Sequence, residues 1–446
     1  MKQLVCCLLL FGVFLSGCAS SPYTRGRNAL EQEDYQKALV ELKQAVKENP
    51  LNTEAVRDLG IAFYETKSYR NAALILEKAL ERWPNNGLTR IYLGATYEKL
   101  ARLDDAIAVY RKYPNVTDSG HRRQLSARLD LAIQAKLRLE ARQALARESA
   151  IDPQRLPPNS IAVLNFRNLG GNTDFDPLTK GLADMVITDL SQVKSLTVVE
   201  RSRMQALLEE MGLSQTGLVD EQTAPRIGHL LGAQKILHGS FLDLAGGKFR
   251  LDANLIDAIS EASESAGEVS GELARFFRLE KNLVFKVIDE LGIRLTEAEE
   301  KAIFTIPTEN LLAFLAYSRG LEARDRSDYQ TAAKEFQQAV TLDPNFTLAK
   351  THLEKTQDLQ ESTSPEYRPI AAAVSDSRQM MRPRQLRLLR STRASNPGFS
   401  FVNRDRLVAP SRAALPGQSN DVRQPLLEGR NDFGLKGNIL IVIELP

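Results

Sequence analysis

The chain has 446 residues, of which 43% are hydrophobic, and its 58 lysines and arginines nearly balance its 56 aspartates and glutamates. This length predicts two or three domains, each with a hydrophobic core of useful size. The formal net charge of +2 creates no field that would draw the chain to nucleic acid, so we expect no nucleic-acid partner.

The first eighteen residues hold all three cysteines and have the pattern of an export signal. Lys2 is followed by an apolar run over residues 4–15, which is shorter than the ~20 apolar residues of a membrane-spanning helix. The segment "LSGC" at residues 15–18 resembles the lipobox of bacterial lipoproteins. This resemblance implies that residues 1–17 are removed and that Cys18 is lipidated. Ala19 after it implies an anchor in the outer membrane, facing the periplasm; an ordinary signal peptide is the alternative.

A repeat of 34 residues follows the signal. The recurring positions are Gly26, Gly60 and Gly94, then Ala38, Ala72 and Ala106, then the bulky Leu42, Leu76 and Tyr110. The pattern resembles the tetratricopeptide repeat (TPR) family, with the anchor and three units over residues 18–117. The resemblance implies two helices in each unit, with glycine where the helices cross and the bulky residue between them.

One further unit is predicted at residues 294–357. It keeps the repeat offsets at Gly320, Ala332, Phe336, Ala339 and Pro344. Between the two repeat regions, residues 118–156 are predicted to form a helix and a linker. The helix either caps the first array or is a solvated connection.

The TPR resemblance implies a concave surface that binds a peptide or a partner helix. The positions that would face this groove are Glu54, Arg57, Ile61, Tyr64, Glu65, Leu88, Ile91, Ala95, Glu98 and Lys99. The alternative is that these side chains simply face solvent.

The middle of the chain, residues 157–293, changes in character. Short β-branched runs at residues 160–166 and 195–200 predict strands, and amphipathic stretches between and after them predict helices. Alternating runs on both sides of Gly246–Gly247 predict a β-hairpin, and a helix over about residues 273–291 closes the domain. We therefore expect a mixed sheet with helices packed on it.

The run "TVVERSRMQALLEEMGLSQTGLVDEQTAPRIGHLLGAQKILHGSF" at residues 197–241 resembles the curli assembly and transport CsgG family. The best-known members form rings in the outer membrane, and each subunit gives two long β-hairpins to a secretion pore. Here the hairpin turns without an insertion, which favours a periplasmic lipoprotein that assembles or secretes a surface structure through protein partners and homo-oligomers. The alternatives are a channel subunit and a general envelope scaffold.

We expect no enzyme activity. The four histidines are scattered, and none has the spacing of a metal site. His238 and Ser240 share a strand face, but no G-x-S-x-G element surrounds the serine, so a histidine of the sheet is the simpler interpretation. The sequence thus predicts no metal, no cofactor and no small-molecule substrate.

The last part of the chain changes composition again. Residues 358–436 are low in complexity and are predicted to be disordered, although the arginine-rich run at 382–393 could instead touch anionic lipid or a partner. The final run "GNILIVIELP" at 437–446 predicts a strand that pairs with a sheet edge. The predicted fold is thus an α-solenoid, a mixed α/β sandwich domain, a further TPR unit and a largely disordered tail.

Overall fold

The computed structural model describes residues 20–213 and 219–362. All of them belong to one compact unit. Cys18, the arginine-rich run and the predicted C-terminal strand lie outside the described residues.

Six helices form three hairpins over the first array. Their bounds are α1 Pro22–Glu31, α2 Tyr35–Glu48, α3 Thr53–Glu65, α4 Tyr69–Arg82, α5 Gly87–Lys99 and α6 Leu103–Tyr110. Short polar residues begin several of them, since Ser21, Asp34, Asn52 and Asn86 each accept a hydrogen bond from an amide of the first turn. The hairpins confirm the predicted solenoid.

The repeat glycines lie where the two helices of a hairpin cross. A Cβ atom on Gly60 would lie 2.6 Å from the side chain of Leu76, and one on Gly94 would overlap the ring of Tyr110. The period of 34 residues therefore records a packing constraint, because only glycine lets the second helix approach this closely.

Replacing Gly94 with alanine is expected to lower the free energy of unfolding by about 1–3 kcal/mol, the usual cost of overpacking a core. Gly171 is the matched control, because a Cβ atom there would meet nothing within 4 Å. Urea denaturation of both alanine variants tests this. Equal costs at the two positions would contradict the packing explanation.

The chain then continues through nine α-helices and six strands over the described residues. The helices are α7 Ser119–Ala146, α8 Leu178–Leu190, α9 Arg201–Glu210, α10 Ala224–Leu231, α11 Phe276–Glu290, α12 Glu297–Ile303, α13 Leu311–Asp325, α14 Tyr329–Leu342 and α15 Thr347–Ser362. The strands are β1 Ser160–Val163, β2 Arg167–Asn168, β3 Thr197–Val198, β4 Lys235–Leu244, β5 Lys248–Asp257 and β6 Ser263–Glu272.

Helix α7 packs against both the first array and the sheet domain. Asp118 caps it by accepting the amide of His121 at 2.7 Å. Leu125 and Ala132 pack against α5 and α6, whereas Ala141 packs against the core that α9 and α10 form. The helix therefore covers the end of the first array and does not cross solvent as a free connection.

The strands form one mixed sheet in the order β3-β1-β4-β5-β6, with β2 paired to β4. β1 runs parallel to β3 and β4, and the β4–β5 and β5–β6 pairs are antiparallel. Gly246 and Gly247 turn the β4–β5 hairpin with φ of 78° and 72°. Helices α8 and α11 cover one face of the sheet, and α9 and α10 cover the other. This confirms the predicted sandwich, to which the structure adds β2.

The downstream TPR unit is built onto the sheet domain. A Cβ atom on Gly320 of α13 would lie 2.5 Å from Phe336 of α14, as in the first array. Phe314 of the same unit packs 5.9 Å from Phe276 and 5.5 Å from Phe277 of α11, measured between ring centroids. The unit and the sheet thus share one hydrophobic core, and its last helix, α15, continues to Ser362.

Candidate partner-binding surface

The predicted groove residues lie on α3 and α5, the first helices of the second and third hairpins. Four of these side chains are buried: Ile61, Tyr64, Ile91 and Ala95 are 8%, 5%, 0% and 1% exposed. Tyr64 packs edge-on against Tyr92 at 5.4 Å. These four residues cannot contact a partner in this conformation, because neighbouring helices pack over them.

Glu98, another predicted groove residue, is occupied by a contact with helix α7. Tyr110 donates its hydroxyl to Glu98 at 2.6 Å, and Arg128 of α7 donates Nη1 to the Tyr110 oxygen at 3.0 Å. Arg128 Nη1 lies 3.5 Å from the Glu98 carboxylate, and both side chains are buried. Helix α7 thereby closes the C-terminal end of the concave face.

The position of Arg128 in the repeat explains why α7 packs against the end of the array. It stands 34 residues after Gly94, at the glycine position of a further repeat. Helix α7 thus starts as the first helix of another unit but has an arginine where a second helix would have to approach. The 34-residue spacing from Gly94 is thus the feature of the sequence that could have predicted the contact of Arg128 with the array.

The other predicted groove residues are at least partly exposed: Glu54, Arg57, Glu65, Leu88 and Lys99. Glu54 accepts the Tyr23 hydroxyl at 3.1 Å, and Arg57 Nε lies 2.8 Å from Asp58. Burial, with the charges of Asp58 and Glu54, raises the pKa of Tyr23 to about 12. The open part of the concave face is therefore mainly the polar side of α3, and Leu88 and Lys99 stay partly exposed near the two ends of α5.

A second polar cluster joins the downstream TPR unit to the sheet domain, and sequence reasoning missed it. Arg201, the last residue of "VVER", donates Nη1 and Nη2 to the two Asp325 oxygens at 2.9 and 3.0 Å. Its Nε lies 3.2 Å from Asp184, and Lys180 donates to Asp325 at 2.9 Å. Tyr317 donates its hydroxyl to Asp184 at 2.7 Å. These five side chains fasten α13 to α8 and α9.

The charges of this cluster compensate one another. Burial alone would raise the pKa of Asp325, but Arg201 and Lys180 outweigh it and hold the pKa below its usual range. Burial, and then Asp184, raise the pKa of Tyr317 well above its usual value. The cluster borders a cavity of about 300 Å³. Since each charge already has an internal partner, we interpret the cluster as a structural joint.

His352 of α15 stands beside this joint as a neutral ring. Arg324 Nη1 lies 2.9 Å from His352 Nδ1, and because a guanidinium can only donate, Nδ1 accepts and the ring proton lies on Nε2. Burial, and then the charge of Arg324, hold the pKa of His352 well below the usual 6.5.

The free energy of unfolding should consequently fall as the pH drops below about 6.5, by up to ~1.4 kcal/mol per pH unit. The sign follows because the unfolded chain takes up a proton at His352 and the folded chain does not. The His352→Gln variant should show a smaller slope in urea denaturation between about pH 5 and 7. Identical slopes for the two proteins would contradict this assignment.

The described residues hold no group of three or more His, Cys, Asp and Glu side chains that could bind a metal ion. His238 is a buried residue of β4, 7% exposed. Within residues 20–213 and 219–362, no helix is long and apolar enough to cross a membrane.

Comparison with known families finds matches for two parts of the chain. Residues 143–245 match the family described as curli production assembly/transport component CsgG. Residues 23–87 and 68–120 match the tetratricopeptide repeat family. The CsgG match starts in the last turn of α7 and ends after β4, so it covers less than the predicted 157–293. Both resemblances are confirmed, and TPR units generally mediate protein–protein interaction, which supports protein partners for this chain.

Individual relatives are distant. A protein of Rhizobium meliloti (strain 1021) named "Putative adenylate cyclase 3" is 27% identical over 154 residues, which are 34% of this chain and 24% of that protein. The chain thus matches about a quarter of that relative's length. Among solved structures, the LpoB C-terminal domain of Salmonella enterica is 18% identical (TM-score 0.22; 29% of this chain, 93% of that one). Lipoprotein GNA1162 of Neisseria meningitidis is also 18% identical (TM-score 0.23; 31% and 100%).

Proposed function

We propose that this chain is a lipid-anchored protein of the outer membrane that faces the periplasm. It assembles or secretes a surface structure, of the curli type or another, by binding protein partners and forming homo-oligomers. The observation that carries this proposal is the CsgG-family match on a sheet domain that also carries TPR hairpins. The lipobox-like segment that ends at Cys18 supports the anchor.

A channel subunit is the second candidate, because the family description includes transport. The β4–β5 hairpin favours the assembly role. Its strands pair from Lys235 opposite Asp257 to Leu244 opposite Lys248, so its whole length is used within the sheet. A general envelope scaffold built on the TPR units is the third candidate.

Replacing Cys18 with alanine should move the protein from the membrane fraction to the soluble periplasmic fraction, because the lipids would have no thiol to bind. Cys6→Ala is the matched control, since Cys6 leaves with the signal peptide and its loss should change nothing. Cell fractionation with immunoblotting measures both variants. Full membrane retention of the Cys18 variant would rule out the anchor.

Light scattering of the detergent-solubilised protein tests the assembly role. A closed assembly of many copies supports a secretion ring and makes conductance measurements worthwhile. A monomer contradicts homo-oligomerisation and leaves the scaffold as the better candidate.

A further inference from the structure

A cleft separates the end of the TPR array from one edge of the sheet. Its volume is about 800 Å³, within the ~300–1,000 Å³ of typical ligand sites. Helices α6 and α7 form one wall, and β3 with the residues after it forms the other. The apolar side chains of the lining are Ile107, Ala108, Ile133, Leu137, Pro157, Val198, Val199 and Leu231.

The sheet edge in this cleft has free backbone groups. Among residues 20–213 and 219–362, β3 is the last strand of the sheet and pairs only with β1. The amides of Thr197 and Val199 both point to β1, since they donate to Asn159 and Ile161 at 2.8 Å. Val198 between them points its N–H and C=O the other way, because alternate residues of a strand face opposite sides. Neither group has a partner among the described residues, so an added strand can pair there.

The cleft also carries unpaired positive charge. Arg111, directly after α6, and Arg203 on α9 line it, are exposed, and form no ion pair with any residue the structure describes. The third cation of the lining, Lys136, pairs with Asp104 and lies 3.7 Å from Glu140. Glu200 is the remaining acid of the lining and accepts only a weak 3.4 Å hydrogen bond from Ser202. Apart from paired groups, the cleft therefore has two cations and one acid.

We infer that this cleft binds an extended acidic segment of a partner protein, which adds a strand to β3. The segment's backbone pairs with Val198, its aliphatic side chains lie against α6 and α7, and its carboxylates meet Arg111 and Arg203. This inference rests on the proposed role as a protein-binding module. It places partner binding in the cleft and not on the concave face, because α7 closes the end of that face.

A display selection with a random ten-residue peptide library on the purified full chain tests the inference. We expect the enriched peptides to carry aspartate or glutamate among aliphatic residues. Fluorescence anisotropy with the enriched peptides should show at least tenfold weaker binding to the Arg111→Glu/Arg203→Glu variant. The Arg278→Glu variant, which changes an exposed arginine of α11, is the matched control and should bind normally.

Val198→Pro tests the backbone contact separately. It removes the outward N–H and keeps both amides that donate to β1, and edge strands tolerate proline. We expect at least fivefold weaker peptide binding with an unchanged urea midpoint. Enriched peptides without acidic residues, binding that ignores both changes, or failure to enrich any binder would each overturn the inference. Light scattering that changes with the cleft variants would assign the cleft to a second copy instead and overturn it too.

The two proposals can fail independently. Anchoring through Cys18 and the mass of the assembly are measured without any peptide. Peptides that bind equally to wild type and to the cleft variants would leave protein binding intact and disprove only the cleft.

Discussion

Replacing Arg201 with alanine is expected to lower the free energy of unfolding by about 3–5 kcal/mol. The arginine is the main partner of Asp325 and also neutralises Asp184, and the Asp325 side chain is only 6% exposed. Without the guanidinium, two carboxylates remain in the joint with one lysine, and burying an uncompensated charge is costly. The same loss should be nearly independent of salt, because buried pairs are screened less than exposed ones.

Arg203→Ala is the matched control, since Arg203 lies on the same helix and is exposed. Its change should stay within about 0.5 kcal/mol. The Arg201→Ala/Asp325→Ala double variant should cost clearly less than the sum of its single changes, because the two residues share one interaction. Additive costs, or an equal loss in the control, would show that the joint does not hold α13 to the sheet domain.

This joint also shows what the sequence could not predict. Arg201 and Asp325 are 124 residues apart, and no local period or spacing relates them. The contact between the glycine of each hairpin and its bulky partner was predictable, because the repeat period relates the two positions. They lie on consecutive helices, and the repeat copies their spacing from unit to unit.

The buried charges of α11 were missed in the same way. Its apolar face was predictable from helical spacing, but Glu280 and Lys281 are buried as well. Lys281 Nζ lies 2.6 Å from Asp189 of α8. Burial, and then Asp189, raise the pKa of Glu280 well above its usual range. Helical periodicity treats such residues as solvent-facing, because it cannot see the partner on the next helix.

The groove prediction was limited by a different cause. Family positions identify which residues face the concave side of an isolated array, and they assume that nothing lies there. In this chain Glu98 contacts Arg128 of α7, and Ile91 is buried in the core that α7 helps to form. The C-terminal half of α7 is already part of the sheet domain. A single helix that serves two domains cannot be recognised from the repeat alone.

Arg128→Ala therefore tests whether α7 holds the array closed. The change removes the cation that faces Glu98 and Tyr110, and both groups would stay buried without it. We expect a loss of about 3 kcal/mol in the free energy of unfolding, as for other broken buried pairs. Amide hydrogen exchange should also quicken in the N-terminal half of α7, because this contact ties it to α5 and α6.

Arg123→Ala is the control on the same helix. Its side chain is 54% exposed and its Nη1 lies 3.4 Å from Glu361, so its removal should cost no more than about 1 kcal/mol. Adding Glu98→Gln to Arg128→Ala should recover part of the loss, since a neutral amide is cheaper to bury than a carboxylate. Equal losses for Arg128 and Arg123, or no recovery from Glu98→Gln, would mean that apolar packing alone seats α7. In that case apolar packing of α7 alone would close the concave face. A partner helix with a similar apolar surface could then displace α7 without contacting a buried charge.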